Sequence, residues 1–85
     1  MIQIVELLPD EEFADIGKLK TFYLNVLTGG LNTMGYAVTP IDLSELYSFE
    51  RMILLETNAP GAVVDSILRN HNLLKRGNGL CVRVA

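Results

Sequence analysis

The stretch IQIVELL at residues 2–8 decides the fold, because it is apolar on both faces of a β-strand. Side chains alternate along a strand, so Ile2, Ile4 and Leu8 point one way while Val5 and Leu7 point the other. A sheet with one wet face alternates apolar and polar residues instead. Residues 52–57, MILLET, and residues 80–85, LCVRVA, show a similar pattern. We therefore expect both faces of this sheet to be shielded from water.

The length of the chain limits what can shield the second face. Its 85 residues, 49% hydrophobic with a mean hydropathy of +0.30, predict a single small domain over residues 1–85. So short a chain has helices enough for one face only. We expect the other face to be covered by another polypeptide, most simply a second copy in a homodimer. The predicted association face comprises Ile4, Met52, Leu54 and Val82.

The first predicted helix follows Pro9, which ends the first strand because proline has no N–H to donate. The acidic run at residues 10–12 would form its first turn, and apolar residues then recur at helical spacing. Gly29-Gly30 leaves two possibilities, a stop there or a kinked helix that continues to Met34. Gly35 predicts the residue with positive φ that commonly follows a helix.

Residues 36–43 allow two interpretations. Their apolar residues favour a strand, which Pro40 would confine to a sheet edge or a bulge. The alternative is a helix that begins at Thr39 or Asp42, since a capping residue, a proline and an acid stand in the right order. We favour a strand over 36–43, followed by a loop or short turn over 44–50.

The second half of the chain has clearer boundaries. A helix is predicted over 60–74, from a proline at its first position to the glycines of residues 77–79. The last strand, 80–84, is expected to pair with residues 2–7. The order strand, helix, strand, strand, helix, strand is that of the two-layer, ferredoxin-like split βαβ fold. This α+β layout predicts an antiparallel sheet with both helices on one face and the first and third strands at its centre.

The single cysteine, Cys81, cannot form an internal disulfide and is typical of a protein from a reducing compartment. Its position in the last strand predicts a small buried hydrophobe. No apolar run approaches the roughly 20 residues of a membrane span. The first residues also lack the basic region and the cleavage site of a secretory signal. These features predict a cytoplasmic protein with no membrane partner.

The net charge of −3 is unevenly distributed along the chain. Residues 1–50 carry eight acidic and two basic side chains, whereas residues 51–85 carry two acidic and five basic ones. One interpretation is a partner-recognition surface in the basic half, comprising Arg69, Lys75, Arg76 and Arg83. The other, which we favour, is that acids gather at helix starts and bases at helix ends, where the helix dipole stabilises each.

Neither His71 nor Cys81 has an evident catalytic partner in the sequence. His71 stands between two asparagines, and a partly buried histidine near a helix end is the simpler expectation. One histidine and one cysteine do not make a zinc site, and the acids of residues 10–15 lack the spacing of a calcium loop. Both glycine groups follow helices, unlike those of phosphate loops. We therefore predict no catalytic residue, no metal site and no cofactor.

These patterns favour a non-enzymatic protein-binding domain, an adaptor, regulator or inhibitor, that acts as a homodimer or docks on another protein. The alternative is a small-molecule-binding or enzymatic dimer with a pocket between its sheets, lined by Glu6, Glu56, Arg83 or a tyrosine. Nucleic-acid binding through the basic half is a weaker alternative. The central strands lack aromatic residues, and a pI near 4.9 opposes binding to phosphates.

Overall fold

The computed structural model describes residues 1–9, 15–41, 50–74 and 81–84. The described chain forms one sheet and two helices in the predicted order, so the α+β, ferredoxin-like layout is confirmed. The elements are β1 (Ile2–Leu7), α1 (Ile16–Thr33), β2 (Val38–Ile41), β3 (Met52–Thr57), α2 (Gly61–Asn70) and β4 (Cys81–Arg83).

The sheet is antiparallel with the strand order β2-β3-β1-β4, so β1 and β3 are central, as the sequence predicts. Its register is set by the pairing of Val5 with Ile53 and of Ile4 with Leu54. The last strand pairs with β1, as predicted, and brings Val82 opposite Glu6. Because paired residues share a face of the sheet, this register determines which side chains meet the helices.

Both helices pack on the face that carries the odd-numbered residues of β1. The core side chains of that face meet three buried residues from each helix, and all of them are at most 5% exposed. The strands contribute Val5, Leu7, Ile53, Leu55 and Cys81, and the helices contribute Tyr23, Leu27, Leu31, Val64, Ile67 and Leu68. Burial of these apolar side chains is the main force that holds the two layers together.

The first helix begins at Ile16, where Asp15 is the N-cap. The Asp15 carboxylate accepts a hydrogen bond from the backbone N–H of Lys18 at 3.1 Å, which satisfies one free donor of the first turn. The acidic run at residues 10–12, predicted to form that turn, lies outside the described residues. The observed start at Ile16 therefore lies four residues after the end of that run.

The same helix continues through Gly29-Gly30 to Thr33, which excludes the predicted alternative of a stop at the glycines. A Cβ at Gly30 would lie 3.0 Å from Cδ1 of Ile67, so a glycine here lets the two helices approach closely. Gly35 has φ +88°, as predicted, and the backbone N–H of Tyr36 bonds the carbonyl of Leu31 at 2.9 Å.

The second helix is shorter than predicted, because it ends at Asn70 rather than at residue 74. Asn72 takes φ 57°, and the N–H of Leu73 then bonds the carbonyl of Leu68 at 2.8 Å. Asparagine tolerates this left-handed conformation better than most residues, so it ends the helix as a glycine would. The predicted end at residue 74 is therefore wrong by four residues, about one turn.

The edge strand β2 carries Pro40, as the strand interpretation of this segment requires. The backbone N–H of Thr57 donates a hydrogen bond to the carbonyl of Met1 at 3.0 Å. Successive residues of a strand direct their backbone groups to opposite neighbours. The odd-numbered residues of β3 therefore form backbone hydrogen bonds with β1, and the even-numbered residues form them with β2. Ile41 pairs with Leu54 and so directs its backbone groups toward β3. The backbone of the preceding residue, Pro40, therefore faces away from the sheet. The edge lacks a donor there, which opposes the addition of another strand.

The other edge strand, β4, is partly covered by the chain that follows α2. Leu74 forms an isolated parallel bridge with Cys81 on the outer side of this strand. The alternatives of a loop or a helix over residues 44–50 fall largely outside the described chain. Since both edges are obstructed, the face of the sheet away from the helices is the larger surface on which another polypeptide could pack.

Candidate docking face

The face of the sheet away from the helices, called the open face below, is predominantly apolar. One row of side chains runs across β2, β3 and β1 to the residue just after β4, and it contains Ile41, Leu54, Ile4 and Val84. A second row contains Met52, Glu6 and Val82, and Ile2 lies beyond the first row. No described helix packs on this face, since the helical core residues meet the opposite side.

All four residues of the predicted association face share the open face. Val84 and Ile2 at its margin are 53% and 46% exposed, whereas Leu54 at its centre is only 7% exposed. In the register Leu54 lies between Ile4 and Ile41. The row is therefore a continuous apolar surface, of the kind that marks interaction sites in small proteins.

Two acids interrupt this apolar surface. Glu6 lies in the central strand between Met52 and Val82, with Ile4 two residues before it on the same face. Glu56 lies at the margin, where its carboxylate contacts the amino group of Met1 at 2.7 Å. The open face therefore combines an apolar row with one unpaired carboxylate among its described residues.

Arg83 does not lie on the open face. It pairs with Val5, so its side chain is on the helix-covered side, where Nε donates to Asp65 of α2 at 2.6 Å. Its Nη1 donates to the carbonyl of Ile4 at 3.2 Å, and its Nη2 donates to the side chain of Gln3. These bonds connect β4, α2 and β1, so the guanidinium stabilises the fold rather than a pocket between two sheets.

The predicted recognition surface is only partly described. Arg69 is exposed in the last turn of α2, where a cation favours the helix dipole. Lys75 and Arg76 lie outside the described residues. Arg83 is not a free cation, since its guanidinium donates hydrogen bonds to Asp65, Ile4 and Gln3. The structure therefore describes only two of the four: Arg69 is exposed, and Arg83 is held against Asp65, Ile4 and Gln3.

His71 is exposed, so the expectation that it is partly buried is wrong. It is the C-cap of α2, and its backbone N–H bonds the carbonyl of Ile67 at 3.3 Å. The early end of the helix explains the difference, because the chain turns away from the apolar stripe at this residue. No described carboxylate or thiol makes a bond with the imidazole that would orient it as a general base.

Cys81 is fully buried, as predicted. Its Sγ donates to the carbonyl of Leu73 at 2.9 Å, and the Tyr23 hydroxyl donates to the same carbonyl at 3.0 Å. Burial raises the pKa of the Cys81 thiol from 9.0 to about 11, although Tyr23 and Arg83 oppose this rise. A thiol with so high a pKa is a poor nucleophile at neutral pH.

A cleft of about 230 Å³ separates the start of α1 from β2 and β3. Its polar lining residues already have partners within the chain, since Lys20 Nζ donates to the carbonyl of Glu50 at 3.4 Å. Thr21 donates to the carbonyl of Gly17 at 3.0 Å. The remaining walls are largely apolar, and the lining contains no described pair of acid and base for catalysis.

Within the described ranges, no three His, Cys, Asp or Glu side chains are grouped so that they could hold a metal ion. Neither α1 nor α2 is long and apolar enough to cross a membrane.

In comparisons with known proteins, no family model matches the chain, and no curated protein and no solved structure is significantly similar to it. The functional argument therefore depends on the geometry of the open face.

Proposed function

We propose that this chain is a non-enzymatic protein-binding domain, an adaptor, regulator or inhibitor of the cytoplasm, that forms a homodimer through its open face. The observation that carries the proposal is the apolar row of Ile41, Leu54 and Ile4 across three strands, continued by Val84 just after β4. The buried, unpaired thiol of Cys81 suits a reducing compartment.

The size of the open face supports a weak, reversible dimer. The two central strands are six residues long, whereas β2 has four residues and β4 has three. At about 4.8 Å between strands and about 3.3 Å per residue, they outline roughly 300 Å² on each copy. Two such faces outline about 600 Å², which is below the size of most specific complexes. We expect a dissociation constant in the micromolar range.

Two copies of the open face suit each other because the surface is apolar and belongs to a regular sheet. Sheets pack face to face about 10 Å apart when their inner side chains interdigitate. A two-fold axis through the open face would place the same residues on both sides of the interface. The obstructed edges at Pro40 and Leu74 favour this arrangement over pairing of edge strands.

A second candidate function is a small-molecule site between the two sheets of the dimer. Glu6 favours it, because it places a carboxylate within an apolar wall, and such walls with few polar groups suit small ligands. Arg83 does not support it, since its guanidinium is engaged on the other side of the sheet. The open face has no described cation among its strand residues, which leaves nucleic-acid binding the weakest candidate.

We expect Val84→Asp to weaken self-association by at least about tenfold without unfolding the domain, because it places a charge in the apolar row. Val84 is 53% exposed in the single chain, so its replacement removes little burial from the fold. The matched control is Phe22→Asp on α1, where the side chain is 52% exposed and lies away from the open face. Sedimentation across micromolar concentrations measures both variants and the wild type.

The wild type and Phe22→Asp should approach twice the chain mass of 9.4 kDa at the same concentrations. A wild type that stays at the chain mass throughout would contradict the dimer, and leave docking on a different protein as the alternative. Equal weakening by both variants would show that the open face is not the interface. Folding of each variant is checked by circular dichroism.

A further inference from the structure

We propose that the cleft between the start of α1 and the strands β2 and β3 binds a small aliphatic monocarboxylate of about four to six carbons, with Lys20 as its counter-ion. This proposal goes beyond the proposed function, because the site belongs to the single chain and requires neither a second copy nor a protein partner. It is carried by the position of Lys20, the one charged residue among the described residues that line an otherwise largely apolar cleft.

The cleft has the volume and the walls for a short aliphatic chain. Its volume of about 230 Å³ corresponds to roughly eight water-sized groups of about 30 Å³ each, which suits an acid of about six to eight non-hydrogen atoms. Sites for drug-sized ligands are larger, from roughly 300 Å³ upward. The apolar walls would bury the carbon chain of the ligand, and they comprise Leu24, Pro40, Ile41, Met52, Ile53 and Leu54.

Lys20 is half-buried, and its ammonium group retains donors for a ligand. Its Nζ carries three N–H donors, and the partner that the structure describes is the backbone carbonyl of Glu50 at 3.4 Å. No carboxylate among the described residues forms an ion pair with Lys20. The positive charge is therefore unmatched by the described chain, and a carboxylate would match it through charge-assisted hydrogen bonds.

The other groups of the cleft favour a monoanion over other ligand classes. The described lining contains neither aspartate nor glutamate, so an amine would meet no opposite charge. The Thr21 hydroxyl already donates to the carbonyl of Gly17 at 3.0 Å, which leaves the Lys20 ammonium as the main donor. One cation matches the single charge of a carboxylate, which accepts hydrogen bonds without donating any. A phosphate dianion would keep an unmatched charge beside the apolar walls, which is unfavourable.

The experiment titrates the full chain with sodium pentanoate up to about 20 mM at constant ionic strength, and follows the backbone amides by nuclear magnetic resonance. We expect saturable shifts that centre on Lys20, Leu24 and Ile53, with a dissociation constant of about 1 mM, as suits a ligand of so few atoms. Acetate, which has the carboxylate without the chain, should bind at least about tenfold more weakly. Pentan-1-amine, which has the chain with the opposite charge, should cause no saturable shift at these residues.

Lys20→Met should weaken pentanoate binding by at least about tenfold, because methionine keeps an unbranched side chain and removes the charge. The bond to Glu50 that it removes is exposed and 3.4 Å long, so we expect the variant to fold. Lys18→Met and Arg51→Met are the matched controls, since each removes one positive charge from an exposed residue that does not line the cleft. Both controls should bind pentanoate within about twofold of the wild type, because exposed charges are screened by salt.

Several results would overturn the proposal. No saturable shift in the wild type, or shifts that centre on Ile4 and Val82 of the open face, would show that the cleft is not the site. Equal binding of acetate and pentanoate would contradict the aliphatic class of ligand. Equal weakening by Lys20→Met and either control would show general attraction of anions rather than a role for Lys20. The comparison of the three ligands uses the wild type alone, so it does not depend on the folding of any variant.

Discussion

The Leu55→Asp variant is expected to be unfolded at 25 °C. Leu55 is fully buried in the core of the helix-covered face, between the central strand and the helices. Loss of a buried leucine costs about 2–5 kcal/mol, and burial of an unpaired carboxylate adds several more. The sum approaches or exceeds the stability of an 85-residue domain, which is roughly 4–13 kcal/mol.

The adjacent variant Leu54→Asp is the matched control, with the same chemical change on the other face of the same strand. Leu54 lies on the open face but is only 7% exposed, so its replacement still removes buried apolar contacts. We expect this variant to be destabilised by about 2–5 kcal/mol, less than Leu55→Asp because its side chain is outside the core between sheet and helices, and to stay monomeric. Circular dichroism measures whether the variant folds, urea unfolding measures its stability, and sedimentation measures whether it is monomeric. Similar stability of the two variants would show that the assignment of faces is wrong.

Alkylation of Cys81 by iodoacetamide is expected to be at least about 100-fold slower in the folded protein than in denaturant at pH 8, because only the thiolate reacts. Burial raises the pKa of the thiol from 9.0 to about 11, and this alone lowers the thiolate fraction by about that factor. The side chain is also inaccessible, with 0% of its surface exposed. Modification at comparable rates in both states would contradict the burial of Cys81.

The same change in pKa predicts how stability depends on pH. Between pH 9.0 and about 11 the unfolded thiol has lost its proton while the folded one retains it. The folded state then binds more protons, so stability is fully present below pH 9 and falls by roughly 2–3 kcal/mol as the pH rises through 11. Cys81→Ala lacks the thiol, so its free energy of unfolding should not show this decrease between pH 9 and 11. If the free energies of unfolding of the wild type and Cys81→Ala changed in parallel with pH, the prediction would be contradicted.

The fold could be predicted from the sequence because its two kinds of signal agree. Apolar residues on both faces of residues 2–8 and 52–57 mark the central strands, and the observed order places β1 and β3 at the centre. The glycine at position 35 marks the end of α1, where φ is +88°. Period-two alternation groups Met52 with Leu54 within β3, whereas the register between strands is what places Ile4 and Val82 on the same face.

Other features could not be predicted because tertiary contacts decide them. Asn72 ends α2 by adopting φ 57°, a conformation that asparagine tolerates but does not require. Arg83 lies on the same side of β4 as Cys81, so alternation did contain a signal for its position. Its bonds to Asp65 and Gln3 depend on residues far apart in the chain, and no local pattern records them.

The most direct test of the central claim is a search for contacts between copies by nuclear magnetic resonance. A sample is mixed from methyl-labelled and unlabelled protein, so that filtered nuclear Overhauser effects arise only between two chains. We expect such effects at the methyl groups of Ile4, Leu54 and Val82, which share the open face. Their absence from these methyls in a sample of dimeric mass, or their appearance on the outer side of α1 instead, would contradict association through the open face.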